Sequence, residues 1–170
     1  SYSHLQRTCS MTEKNIIVAL DDPLDYQGVL EVLDPKKCII KVGSVIFNYH
    51  GRKILDEVSG HGFEIFFDIK FHDIPNTVSK SIESFKGYPI KLLTVHLSGG
   101  SSMIKSALVS SKSINAKCIG VSILTSLNEE ESIEVYNQEI SKTVSSMFNL
   151  ANELDIDGVV CSPHELKLAR

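Results

Sequence analysis

The stretch Phe66-Phe67-Asp68-Ile69-Lys70-Phe71-His72-Asp73-Ile74-Pro75-Asn76-Thr77 sets three charged side chains inside an otherwise apolar run. An aspartate and a lysine two residues apart on a strand share one face, with Phe67 and Ile69 on the other. Asp73 follows in a turn, just before Pro75 opens a helix. Lys41 ends the preceding apolar run and is expected beside the Asp68–Lys70 pair. Lys41, Asp68, Lys70 and Asp73 would then form an array of alternating charge in one partly buried place. Burying such charges costs several kcal/mol per ion before pairing offsets it. One outcome is a salt-bridge network that merely closes an end of the fold; the other is a catalytic array. Anions flanking Lys70 favour its ammonium form, which suits proton donation rather than base or Schiff-base chemistry. A proton donor beside a fixed anion fits a reaction that creates a carbanion and then quenches it.

The elements that must position these residues follow from the hydrophobic pattern. Short, nearly continuous apolar runs occur at Ile16–Leu20, Cys38–Val42, Phe63–Phe67, Ile90–Val95, Lys117–Ile123 and Gly158–Val160. Such runs fit strands buried on both faces of a parallel sheet. Segments of helical length lie between them, at Val45–Val58, Thr77–Phe85, Ser102–Val109 and Ile140–Leu154. In the last, Val144, Met147, Phe148 and Ala151 form one apolar helical stripe. Repeated strand–helix alternation implies right-handed βαβ units in an α/β fold. The choice lies between an open doubly wound sheet and a (β/α)8 TIM barrel. Each run ends in polar residues: Asp21, Lys41, Asp68 with Lys70, His96, Thr125 with Ser126, and Cys161 with Ser162. Functional residues at the C-terminal end of every strand favour the barrel. An open sheet would gather them at one switch point, and no G-x-G-x-x-G follows the first run.

The chain has 170 residues, 42% hydrophobic, with 17 basic against 21 acidic side chains and a net charge of −4. That balance argues against a protein built to grip nucleic acid or an anionic membrane. No apolar run approaches the ~20 residues of a membrane span, and no signal peptide is evident. Cys9, Cys38, Cys118 and Cys161 are widely spaced, which fits reduced thiols in a cytoplasmic protein rather than a zinc site. Residues 1–10 are polar and aperiodic and Met11 reads as a natural start, so the first ten are expected to be a tail. Residues 11–170 are expected to form one domain.

The motif from Asp68 to Thr77 closely resembles the signature of the bacterial-type orotidine 5′-monophosphate decarboxylases. The resemblance runs from about Ile16 to Arg170. It includes Ala19-Leu20-Asp21, Lys41-Val42-Gly43, Val95-His96-Leu97-Ser98-Gly99-Gly100, Leu124-Thr125-Ser126 and Asp157-Gly158-Val159-Val160-Cys161-Ser162. It implies a carboxy-lyase that converts orotidylate to uridylate in pyrimidine nucleotide synthesis, with neither cofactor nor metal. By this resemblance Lys70 delivers a proton to C6 of the pyrimidine as carbon dioxide leaves. Asp68 lies against the departing carboxylate, and Lys41 and Asp73 complete the array. Asp21 and Lys41 match residues that hold the ribose hydroxyls, and Thr125 matches one near the pyrimidine ring. Asp73 and Thr77 match residues that reach into a partner's site, which implies a homodimer with shared active sites.

Two rivals remain. The magnesium-dependent 3-keto-gulonate-phosphate decarboxylases and hexulose-phosphate synthases share an Asp-x-Lys-x-x-Asp motif. They carry a carboxylate where this chain has Lys41, a cation that would repel Mg²⁺. The second rival is a non-catalytic barrel fragment that binds phosphosugars or only dimerises. His50 and His61 read as solvated surface, and His72 as structural, turned away from Lys70 if strand alternation persists. His96 ends a strand at the mouth. Gly99-Gly100 read as backbone freedom for the loop into the next helix, and Glu129-Glu130-Glu131 as the start of a solvated helix. Six βα units are visible where a closed barrel takes eight, typically about 250 residues. The phosphate-binding loops after strands seven and eight have no match, and Arg170 is not assigned that role. The polypeptide is therefore expected to continue past Arg170, since six strands alone would expose two sheet edges and part of the core.

Overall fold

A computed structural model describes Lys14 and residues 16–160. Six strands alternate with helices: β1 Ile16–Leu20, α1 Gln27–Val32, β2 Cys38–Gly43, α2 Ser44–His50, α3 Arg52–Gly60 and β3 Ile65–Phe71. They continue as α4 Pro75–Glu83, β4 Ile90–His96, α5 Gly100–Ser113, β5 Lys117–Val121, α6 Glu129–Tyr136, α7 Ile140–Glu153 and β6 Gly158–Val160. Cys9, Cys161, Ser162 and the expected tail lie outside the described residues.

Every strand pairing is parallel, and the strands lie side by side in chain order, β1-β2-β3-β4-β5-β6. A doubly wound sheet must reverse its strand order somewhere, whereas a (β/α)8 barrel never does. The expected barrel winding is thus present in the strand order itself, and the described residues form six consecutive strands of it.

Successive side chains of each strand turn to opposite faces. Ile40, Val42, Ile65, Phe67, Leu93, Val95 and Cys118 join one apolar layer with helix residues Ile54, Leu55, Val58, Val78, Ile82, Ile104, Val144 and Phe148. Cys38 and Cys118 are buried free thiols that fill this core. The expected stripe on α7 buries Val144, Phe148 and Ala151, with Met147 packed at its margin. At the outer strands Ile16, Ile17 and Val160 are exposed.

Local chemistry explains several boundaries. α4 opens on Pro75, whose fixed φ and missing N–H suit a first helical turn. α6 opens on a capping box, in which the Asn128 side chain accepts from Glu131 N–H and Glu131 accepts from Asn128 N–H, both at 2.9 Å. Its first turn carries Glu129, Glu130 and Glu131, which complement the helix dipole, so the acidic run starts an exposed helix as expected. Gly100 takes φ +80° at the entry to α5, consistent with the expected freedom of the Gly99-Gly100 pair.

Three expectations need correction. The segment Val45–Val58 is two helices, because Gly51 takes φ 61° and ψ −144°, a conformation essentially confined to glycine. β3 begins later and runs further than Phe63–Phe67, continuing through the charged motif to Phe71. His50 is half-buried rather than solvated: its Nε2 lies 2.7 Å from the Pro23 carbonyl oxygen, and its ring packs edge-on against Tyr26 at 5.2 Å. His61 is exposed, as expected. Tyr26 is 2% exposed and donates its hydroxyl to Glu57 of α3. Burial, and then that bond, push the Tyr26 phenol up to about 12, while the same bond pulls the Glu57 carboxyl down.

A Cβ added at Gly51 would meet nothing within 4 Å, so substitution there probes backbone strain alone. Gly51→Ala is expected to cost about 1–3 kcal/mol. The check is a lowered urea midpoint with an unchanged m-value.

Candidate active site

β2 and β3 run parallel with Gly43 opposite Asp68 and Lys41 opposite Phe66. The Lys41 side chain therefore has to rise along the strand to reach Asp68, and its Nζ stops 3.9 Å from Asp68 Oδ2. Lys70 Nζ lies 2.9 Å from Asp68 Oδ1. The Asp68 side chain is 15% exposed, against 30% for Lys41 and 35% for Lys70, so the carboxylate is the enclosed hub of the three.

Regular alternation is not what holds this pair. Between β3 and β4 the register steps from Phe67↔Leu93 to Phe71↔Val95, so residues 68, 69 and 70 face Thr94 alone. This bulge bends β3 locally, and Lys70 takes φ 54°, the left-handed region that a lysine seldom occupies. On either side the strand is pinned by aromatic packing. Phe67 meets Phe47 at 4.9 Å and Phe85 at 4.7 Å between ring centroids, and Phe71 meets Phe67 at 6.1 Å, all edge to face.

Leu20, Asp21, Lys41, Gly43, Ser44, Val45, Ile46, Asp68 and Lys70 line one cavity of about 280 Å³ at the C-terminal ends of β1, β2 and β3. Of the expected site residues, Asp21, Lys41, Asp68 and Lys70 are thus brought together. The remaining three are not. Asp73 is exposed, and its Oδ1 accepts from the adjacent Ile74 N–H at 2.7 Å instead of pairing with either lysine. Thr77 is exposed on the first turn of α4, and Thr125 is exposed beyond β5, outside that lining. The four-charge cluster within one chain is corrected to three charges, because the turn after β3 carries Asp73 away from the mouth.

Two residues at the site were not anticipated. Ser44 lines the cavity at the start of α2. Thr94 is fully buried; its Oγ1 accepts from the Lys70 backbone N–H and donates to Asp68 Oδ1, each at 3.0 Å. A threonine inside the apolar run Ile90–Val95 is itself a signal, since a buried hydroxyl needs partners. Among the described residues no three His, Cys, Asp or Glu side chains gather closely enough to hold a metal ion. No helix among them is long and apolar enough to cross a membrane.

His96 ends β4 half-buried, with its ring centroid 5.1 Å from that of His72. Burial first, then His72 and Lys70, lower the His96 pKa below its usual 6.5. The unfolded chain therefore binds this proton more readily than the native one, so stability is full above pH ~6.5 and declines as pH falls below it. His96→Gln is expected to shed part of that decline between about pH 7 and pH 5, read from urea midpoints across the range.

Residues 14–170 match the model of the Orotidine 5'-phosphate decarboxylase / HUMPS family. An orotidine 5'-phosphate decarboxylase of Laribacter hongkongensis is 38% identical over 154 residues, which cover 88% of this chain and 64% of that protein. One from Fusobacterium nucleatum is 38% identical over 165 residues, covering 93% of this chain and 69% of the other. This chain therefore spans about two thirds of the length of these relatives. A crystal structure of orotidine 5'-phosphate decarboxylase from Lactobacillus acidophilus superposes with a TM-score of 0.82 at 32% identity, covering 92% of this chain and 75% of that one. Together with the uninterrupted parallel winding and the Lys41–Asp68–Lys70 array, these likenesses place the chain in the Orotidine 5'-phosphate decarboxylase / HUMPS family.

Proposed function

We propose that the protein decarboxylates orotidine 5′-monophosphate to uridine 5′-monophosphate in pyrimidine nucleotide synthesis, with Lys70 as proton donor. The observation that carries this reading is the Asp68 carboxylate set between two ammonium groups, Lys70 at 2.9 Å and Lys41 at 3.9 Å, in the wall of a cavity. The names of the similar proteins from Laribacter and Fusobacterium support the same substrate.

Asp21 and Lys41 take the ribose hydroxyls and Thr125 approaches the pyrimidine ring. This orientation puts the substrate carboxylate beside Asp68. Two carboxylates held together repel, and Asp68 is bonded where it stands, so the ground state loses stability that departing carbon dioxide restores. The C6–carboxylate bond breaks, and its electron pair stays on C6 next to the Lys70 ammonium. Charge that is already oriented stabilises the developing carbanion without further reorganisation, and this is the larger contribution. The Lys70 proton then passes to C6, leaving a neutral amine that regains a proton from water. The protonated ring carbon and carbon dioxide account for every atom. No cofactor or metal enters these steps, and a cytoplasmic location suits the pathway.

The exposed positions of Asp73 and Thr77 support a shared site in a homodimer. Both stand at or just after the β3–α4 turn, beside Ile74, a large apolar side chain that is 66% exposed. A second copy seated there would cover Ile74 and receive Asp73 at its own mouth.

The direct test follows orotidylate by ultraviolet absorbance. The full-length protein is expected to turn over in the presence of a chelator, and Lys70→Ala to lose roughly 10²–10⁴-fold or more in kcat. Equal rates for the two proteins, or a rate abolished by chelation, would sink the reading. Sharing of sites is tested by mixing Lys70→Ala with Asp73→Asn. Random reassortment is expected to restore about a quarter of wild-type activity, because half the dimers are mixed and each holds one intact site. No recovery on mixing would show that the sites are not shared.

A further inference from the structure

Resting on the decarboxylase reading, we propose that Thr94 is a positioning residue that locks Asp68 and Lys70 into their working geometry. Its hydroxyl has one proton and must use it in a defined direction. The Lys70 backbone N–H can only donate, so Thr94 Oγ1 accepts there at 3.0 Å. The hydroxyl proton is then free for Asp68 Oδ1, also at 3.0 Å. Asp68 Oδ1 in turn accepts from Lys70 Nζ at 2.9 Å, which closes a ring through the lysine's own backbone and side chain.

This ring answers a need created by the bulge. Residues 68–70 of β3 have only Thr94 opposite them, so the Lys70 amide has left the strand ladder and would otherwise lack a partner. Lys70 is held there at φ 54°, a conformation that persists in a non-glycine residue only when its surroundings over-determine it. Buried Ser111 and Thr143 donate to the carbonyls of Ala107 and Glu139 four residues back, and buried Ser110 links α5 to Ser79 and Glu83 of α4. Thr94 instead ties β4 to both members of the charged pair. Without it Asp68 would be free to rotate away from the incoming carboxylate, and the Lys70 backbone would be free to relax.

The test compares Thr94→Val, which keeps the shape and removes the hydroxyl, with Thr94→Ser, which keeps the hydroxyl. Thr94→Val is expected to lower kcat roughly 10–100-fold, the range for a lost hydrogen bond to a charged group, with KM within about threefold. Thr94→Ser is expected to stay within about threefold of wild type in both. Hydrogen exchange at the Lys70 amide gives a readout independent of substrate: at least ~10-fold faster in Thr94→Val and near wild type in Thr94→Ser. Should Thr94→Val fail to fold, Thr94→Ala is put to the same comparison. Unchanged exchange and kcat in the hydroxyl-free variants, or equal losses in Thr94→Ser, would overturn the proposal. Wild-type protein that leaves orotidylate untouched while the exchange difference persists would remove the substrate assignment and leave the anchor standing.

Discussion

The enclosed carboxylate of Asp68 is the constraint around which this half of the molecule is organised. It takes an ammonium and a hydroxyl on one oxygen and faces a second ammonium from the other. An anion so enclosed is tolerable only if its partners stay in place, because losing one leaves charge buried without compensation. Each partner comes from a different strand or from a bent part of the same one: Lys41 from β2, Thr94 from β4 and Lys70 from β3 itself. The parallel winding matters because it brings the same end of three adjacent strands to one mouth.

Holding a lysine in a left-handed backbone conformation demands rigidity on both sides of it. Phe67 and Phe71 provide it by anchoring β3 in the aromatic layer with Phe47 and Phe85, while the intervening residues bow towards the cavity. The apolar layer outside the sheet and the charged mouth inside it are thus parts of one arrangement. Close packing on one face holds the chain in a shape that the polar face could not maintain alone.

Much of this was legible in the residues. Apolar runs of strand length with polar termini pointed to a parallel barrel, and the Asp68-x-Lys70 spacing pointed to a charged pair at its mouth. The pairing was correct, although the reason was incomplete. Strand alternation puts Asp68 and Lys70 on one face, but their contact rests on a bulge that nothing local announces, since positive φ is normally written with glycine or asparagine. Gly51 shows the opposite case: a glycine in a helical pattern is ambiguous by type, and only the two packed helices reveal it as a break. Asp73 was misplaced within the chain because motif proximity was read as spatial proximity, and the turn before Pro75 separates them. His50 was misread because its partner, the Pro23 carbonyl, lies 27 residues away in sequence.

The two tethers of the β1–α1 connection bear on how the cavity can respond to a ligand. The Tyr26 hydroxyl is bonded to Glu57 on α3, and the Pro23 carbonyl to His50 at the end of α2. The loop that follows Asp21 is therefore stapled to the helices that follow Lys41. These two walls are thereby tied directly to each other. Leu124, Thr125 and Ser126 are exposed after β5 and do not line this cavity. A molecule entering the cavity therefore meets, on its Asp21–Lys41 side, two segments that cannot shift apart without breaking one of these bonds.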